Sequence, residues 1–206
     1  MGKGFFREIV FSLCFLLCSC IPTKPMHSEQ NGSFFEGEVG KEVEVIIFDG
    51  FKLSPIDKEI ELIKKRVPVT KGNYFILYFI EEGFVPELKV LRAANKDTTI
   101  GKIRLKKMKN KNKGYLVGVV YKPVRGGKIF FTKGILKLIS GVEIKVVNNK
   151  SRSYSTIPEH NGVFSIQLLA GRYKIFVGDY NKGFDVIINK GKTTIHNLQK
   201  GIVLID

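Results

Sequence analysis

Gly171-Arg172-Tyr173-Lys174-Ile175, followed by Gly183-Phe184 and Thr193-Thr194-Ile195, is written almost word for word a second time earlier in the chain. The earlier copy reads Gly72-Asn73-Tyr74-Phe75-Ile76, then Gly83-Phe84, then Thr98-Thr99-Ile100, so the copies lie 99, 100 and 95 residues apart. Self-similarity of this kind marks one supersecondary module used twice. The residue types say that the module is built of strands. Tyr74 to Ile80 is apolar at every position and rich in aromatic and β-branched residues, as in a central strand covered on both faces. In the later copy Tyr173, Ile175 and Val177 alternate with Arg172, Lys174 and Phe176, which leaves one face wetter.

Outward from these strands the pattern stays β-rich. Val43, Val45 and Ile47 alternate with Glu42, Glu44 and Ile46 before an Asp49-Gly50 turn, and Gly141-Val142-Glu143-Ile144-Lys145-Val146 alternates in the same way. Ile56, Ile60 and Ile63 fall at helical spacing within Ile56 to Arg66. The cleaner alternation of the second copy nevertheless favours a strand over Glu59 to Ile63. The polar run Lys109-Asn110-Lys111-Asn112-Lys113-Gly114 places a module boundary, after which Tyr115 to Tyr121 opens the second module. His160-Asn161-Gly162 predicts a hairpin turn ahead of Val163-Phe164-Ser165-Ile166, because Asn-Gly tolerates the positive φ of a tight turn. The fold expected is all-β: two tandem small Greek-key β-sandwich modules, the first over 41–112 and the second over 113–206.

Tyr115 to Tyr121, Gly141 to Val146, Thr156, Asn161 to Ile166, Ala170 to Ile175 and Gly183-Phe184 together resemble the carboxypeptidase regulatory-like family over about residues 115 to 206. That resemblance implies a transthyretin-like, seven-stranded sandwich without catalytic activity. The first copy keeps Gly72, Tyr74, Gly83 and Phe84 but has no Asn-Gly pair. PEGA-type surface modules share the glycine, the tyrosine and the later glycine, and stay open as an alternative.

The N-terminus reads as an address. Lys3 and Arg7 precede a nine-residue apolar run, Ile9 to Leu17, which is too short to span a bilayer. Leu17-Cys18-Ser19-Cys20 follows directly and resembles the lipobox of bacterial lipoproteins. The resemblance implies a signal peptide over 1–19, Cys20 as the lipidated (palmitate-type) first residue, and an anchor to the cell-envelope membrane. Ile21 in place of an aspartate leans toward an outer membrane where the source has one. Residues 20–40, with Pro22, Pro25, Ser28, Gly32 and Gly37, have the composition of a solvated tether. The three cysteines, Cys14, Cys18 and Cys20, all lie within the first twenty residues, so no disulfide staples either module.

With 34 Lys and Arg against 19 Asp and Glu, the formal charge is +15, which implies anionic partners. The address selects envelope polymers and lipid headgroups over nucleic acid. Cations concentrate in Lys102, Arg104, Lys106, Lys107, Lys109, Lys111 and Lys113 with no acid between them. On a strand Lys102, Arg104 and Lys106 point one way and Ile103 and Leu105 the other. This ridge is either an edge kept soluble by charge or a surface for an anionic ligand, with Lys102, Arg104, Lys106, Lys107 and Lys109 as its candidates.

Catalytic signatures are missing from the sequence. His27, His160 and His196 do not pair at metal-ligand spacing, no Gly-x-Ser-x-Gly elbow occurs, and Gly191-Lys192-Thr193 lacks the glycine five residues upstream that a phosphate loop needs, reading instead as a hairpin. The expectation is a non-catalytic envelope lipoprotein with a structural or protein-interaction role and no cofactor. The alternative is a binding module for an anionic envelope glycan or lipid such as peptidoglycan or lipopolysaccharide.

Overall fold

Val43, Val45 and Ile47 recur 99 residues later as Val142, Ile144 and Val146, and in both places the alternation turns one strand face into a sandwich core. The computed structural model describes residues 32–38, 40, 42–50, 53–60, 63–68, 74–92, 98–126, 132–180 and 182–205. The expected signal segment, Cys20, most of the expected tether and Gly72 lie outside the described residues.

Every regular element among the described residues is a β-strand. The first half holds β1 (Gly32–Glu38), β2 (Glu44–Asp49), β3 (Ser54–Ile60), β4 (Ile63–Pro68), β5 (Tyr74–Ile80), β6 (Phe84–Val85), β7 (Glu87–Arg92), β8 (Thr98–Lys102) and β9 (Lys106–Lys107). The second holds β10 (Lys113–Gly126), β11 (Thr132–Leu138), β12 (Ile144–Asn148), β13 (Ser153–Thr156), β14 (Val163–Leu169), β15 (Gly171–Val177), β16 (Phe184–Ile188), β17 (Thr193–Ile195), β18 (Leu198–Gln199) and β19 (Val203–Ile205).

The two halves share one topology. In the first, a sheet ordered β3-β2-β5-β7 faces a sheet ordered β4-β1-β8, in which β1 runs antiparallel to β4 and parallel to β8. In the second, β13-β12-β15-β16 faces a sheet in which β10 runs antiparallel to β14 and parallel to β17. β11 and the short C-terminal strands β18 and β19 extend that last sheet along the upper half of β10. Seven strands therefore correspond one to one, and Thr98-Thr99-Ile100 and Thr193-Thr194-Ile195 sit on equivalent strands.

The sandwiches are stacked through a shared apolar layer, so Asn31–Asp206 form one compact unit. Phe75, Leu77 and Phe79 of β5 point into the first sandwich with Val43, Val45, Ile47 and Ile103. The other face of the same strand gives Ile76 and Tyr78, which pack with Phe48 against Val117, Val119 and Tyr121 of β10. Leu116 and Val120 on the opposite face of β10 enter the second sandwich with Ile144, Val146, Phe164, Tyr173 and Ile175. Both β5 and β10 are thus covered twice, which is why neither shows polar alternation. Full burial of each such side chain is worth about 1.5–3 kcal/mol.

Four details correct the reading of the sequence. Gly32–Glu38, placed in the tether, is the first strand of the first sandwich, because its backbone closes the sheet between β4 and β8. The single strand expected over Glu59 to Ile63 is instead the end of one strand and the start of another: β3 ends at Ile60 and β4 begins at Ile63, in different sheets.

Asn161-Gly162 is not a hairpin. It carries the chain from β13 in one sheet to β14 in the facing one. Gly162 has φ +76°, its N–H donates to the Glu159 carbonyl at 2.8 Å, and Asn161 Oδ1 accepts from Val163 N–H at 3.1 Å. The same geometry that closes a hairpin here serves an arch, since β13 and β14 each find their partner elsewhere. Gly191-Lys192-Thr193 likewise crosses from β16 to the sheet of β17.

Candidate functional site

The basic run does not form one strand. Lys102 ends β8, Arg104 lies between strands, and Lys106 and Lys107 make the short β9, which pairs with Phe84 and Val85. Lys102, Arg104, Lys106, Lys107, Lys109 and Lys111 are exposed, and Lys113 is half-buried at the start of β10. Ile103 is buried and Leu105 packs on the first core, so outward cations and inward apolar residues do alternate across the break. Lys106 and Lys107 are both exposed because β9 is two residues long and belongs to neither main sheet.

A second cationic surface was not singled out by the sequence. Pairing of β12, β15 and β16 sets Lys145 beside Phe176, Val147 beside Lys174, Lys174 beside Asp185, and Arg172 beside Ile187. These residues line an open trough of about 1270 Å³ on the outer face of the second sandwich, with Tyr180 among the lining residues and 52% exposed. Lys174 Nζ lies 3.9 Å from the Asp185 carboxylate; both ends are well exposed, so the pair adds little stability. The trough carries three side-chain cations, Lys145, Arg172 and Lys174, against the single carboxylate of Asp185. The alternation of the second copy predicted this wet face, but only the register brings its residues into one surface.

Between the sandwiches lies a buried polar knot. The Tyr78 hydroxyl donates to Asn197 Oδ1, which also accepts from the Val119 N–H at 3.1 Å. Val119 falls where the C-terminal segment breaks between β17 and β18, so that segment offers its N–H no ladder partner. Asn197 supplies the acceptor that a buried amide requires. Burial drives the Tyr78 phenol far above its ordinary range despite this hydrogen bond, and pushes Tyr121 up as well. In sequence, Asn197 shows only as a polar residue interrupting Ile195 to Leu198.

Among the described residues the histidines do not converge: His160 is exposed in the arch, and His196 is half-buried against Phe184, its ring centroid 5.5 Å away. Glu42, Glu44, Glu81 and Glu82 gather beside Lys192 and Thr193 where the sandwiches meet, with Lys192 Nζ 3.8 Å from Glu82. Partial burial, reinforced by Glu42, raises the Glu81 carboxyl above its usual range. Among the described residues no group of three or more His, Cys, Asp or Glu forms a metal-ligand set.

The class this geometry defines is an all-β protein built of stacked sandwiches. No model of a known protein family matches the chain, and no curated protein matches it. Among the solved structures that align with it are three at low identity. The Bacillus anthracis TIE protein is 14% identical with a TM-score of 0.33, over 81% of this chain and 34% of that one, so the chain spans about a third of its length. A minor pilin of the Gram-positive pathogen Streptococcus agalactiae is 10% identical with a TM-score of 0.32, covering 82% of this chain and 95% of the pilin. A variant of the shaft pilin SpaA from Lactobacillus rhamnosus GG is 7% identical with a TM-score of 0.25, covering 82% and 96%.

Proposed function

We propose that the chain is a non-catalytic cell-envelope lipoprotein with a structural or protein-interaction role, held at the membrane by acylation of Cys20. The observation that supports this reading most is the stack itself. Two sandwiches of one topology are joined by a packed, largely apolar layer rather than a free linker, and their cores are filled by side chains. Such a body presents surfaces and works as a rigid unit held near a bilayer. In this reading 1–19 is removed and the chain beyond Cys20 leads into the first module, with the second beginning at 113 and carrying the carboxypeptidase regulatory-like resemblance.

Two or more acyl chains anchor a protein stably, each buried methylene adding about 0.8 kcal/mol. Growing a bacterial host with an alkyne fatty acid and probing the full chain tests the anchor. Label on the parent and its loss, with release from the membrane fraction, in Cys20→Ala is the expected result. A Cys20→Ala chain that remains labelled and membrane-bound contradicts the proposal.

The exposed cations support a second reading, in which Lys102, Arg104, Lys106, Lys107 and Lys109 meet an anionic envelope lipid or glycan. Near an anionic surface each adds about 1 kcal/mol, within a screening length of about 8 Å at physiological salt. Binding to phosphatidylglycerol vesicles should therefore weaken as salt rises and fall in a Lys102→Gln, Arg104→Gln, Lys106→Gln triple variant. A triple variant that binds as well as the parent leaves the run as a solubilising edge.

A further inference from the structure

We infer that the trough on the outer face of β12, β15 and β16 binds an anionic polysaccharide, with Lys145, Arg172 and Lys174 taking its charges and Phe176, Tyr180 and Ile187 its sugar faces. The inference rests on the second reading in one respect, that an anionic envelope polymer is a partner, and it assigns that polymer to a different face from the basic run.

The register lays out the grid. Adjacent strands stand about 4.8 Å apart and alternate residues along a strand about 6.7 Å apart. Lys174 and Arg172 are thus one step apart on β15, and Lys145 is diagonal to Lys174 on β12. Apolar groups fill the squares between the cations: Phe176 beside Lys145, Val147 beside Lys174, and Ile187 beside Arg172. A chain of rings bearing one charge every unit or two matches that alternation, laying flat faces on the apolar squares and its acids on the cations. Ile187 is 55% exposed and Tyr180 52%, so both apolar groups are already presented to the trough.

Three observations favour this occupant over others. The trough is an open depression of about 1270 Å³, larger than the roughly 300–1,000 Å³ of sites for single small molecules, which suits an oligomer. A flat lipid surface does not fill a depression. An acidic peptide added as a strand would pair at a sheet edge, β13 or β16, whereas the three cations stand on the inner strands β12 and β15.

Titration of the detergent-solubilised full chain with polygalacturonate oligomers, neutral dextran and polyglutamate tests the proposal. Binding to polygalacturonate is expected, with none to dextran and far weaker binding to polyglutamate. An Arg172→Gln, Lys174→Gln double variant should lose about tenfold or more, and Tyr180→Ala about threefold to tenfold from lost apolar contact. All three positions are exposed, and circular dichroism checks that each variant is folded. The Lys102→Gln, Arg104→Gln, Lys106→Gln variant separates the two faces, and a smaller loss of polygalacturonate binding than in the trough variants is expected. If that variant loses binding while the trough variants keep it, the basic run is the site and the present assignment is overturned with the second reading intact. Equal binding to polyglutamate with no effect of Tyr180→Ala, or no binding to polygalacturonate at all, also overturns it.

Discussion

The sheets β3-β2-β5-β7 and β13-β12-β15-β16 have the same strand order and apolar residues at the same inward positions, yet their outer faces are opposites. Where the second presents Lys145, Val147, Lys174 and Asp185, the first presents Ile46, Phe48, Ile76 and Val90 at matching register positions. The first outer face is covered by β10; the second opens on solvent. Identical backbone pairing therefore accommodates either a docking face or a ligand face. The choice lies in which residues occupy every second position.

The sharpest way to break the comparison is to exchange those residues. Ile76→Lys places a charge in a fully buried site between the sandwiches and should cost about 4 kcal/mol or more, or prevent folding. Lys174→Ile at the matching outer position should change stability by less than about 0.5 kcal/mol. Urea denaturation of both variants measures the contrast, and similar losses would mean that the outer faces are not as different as their burial indicates.

Gly118 tests the spine. A Cβ there would overlap the His196 carbonyl, and the Phe164 ring stands 2.9 Å from the same point. Gly118→Ala should push the C-terminal segment off β10 and destabilise by about 3 kcal/mol. Hydrogen exchange should show the loss first at the His196 N–H, which donates to the Val117 carbonyl.

The polar knot comes next in size. Asn197→Ala leaves a buried phenol and a buried amide unpaired and should cost about 2–4 kcal/mol, against about 1 kcal/mol for Tyr78→Phe, which removes one partner with its hydroxyl. Tyr78 also carries a pH signature. Its folded pKa is raised, so its contribution is complete below about pH 10, where the unfolded phenol ionises, and is lost as pH rises beyond that. Tyr78→Phe should flatten the alkaline loss of stability; Tyr121 and Tyr173, shifted in the same direction, add losses of the same sign.

The smallest effect belongs to His196, whose pKa burial holds below its ordinary value of about 6.5. The unfolded chain takes up that proton first. Stability is therefore complete above about pH 6.5 and declines as pH falls from there toward the folded pKa. Melting curves between pH 7.5 and 5.5 should show a shallower decline in His196→Gln than in the parent, and parallel curves would remove His196 from the account.

The sequence repeat hides a register difference that the fold exposes. Val43, Val45 and Ile47 match Val142, Ile144 and Val146 at 99 residues, but the inward residues of β5, Phe75, Leu77 and Phe79, match Tyr173, Ile175 and Val177 at 98. Tyr74 and Tyr173, aligned by their glycines, lie on equivalent strands yet on opposite faces. Tyr173 enters a core and donates to the Leu169 carbonyl at 2.8 Å, while Tyr74 sits beneath Arg92 on the docking side. With a side-chain period of two, a shift of one residue exchanges the faces.

Local pattern alone determined that this chain is all-β, that its unit is duplicated, and that β5 is covered twice, because the period of burial is written in consecutive residues. The polar alternation of β15 likewise announced a wet face. Only the tertiary structure decided that Gly32–Glu38 is a strand, that Asn161-Gly162 and Gly191-Lys192 cross between sheets, and that Lys145, Arg172 and Lys174 share one trough. Each depends on which strand pairs with which, across separations of tens of residues. A turn or an exposed cation has the same local sequence whichever partner the sheet assigns to it.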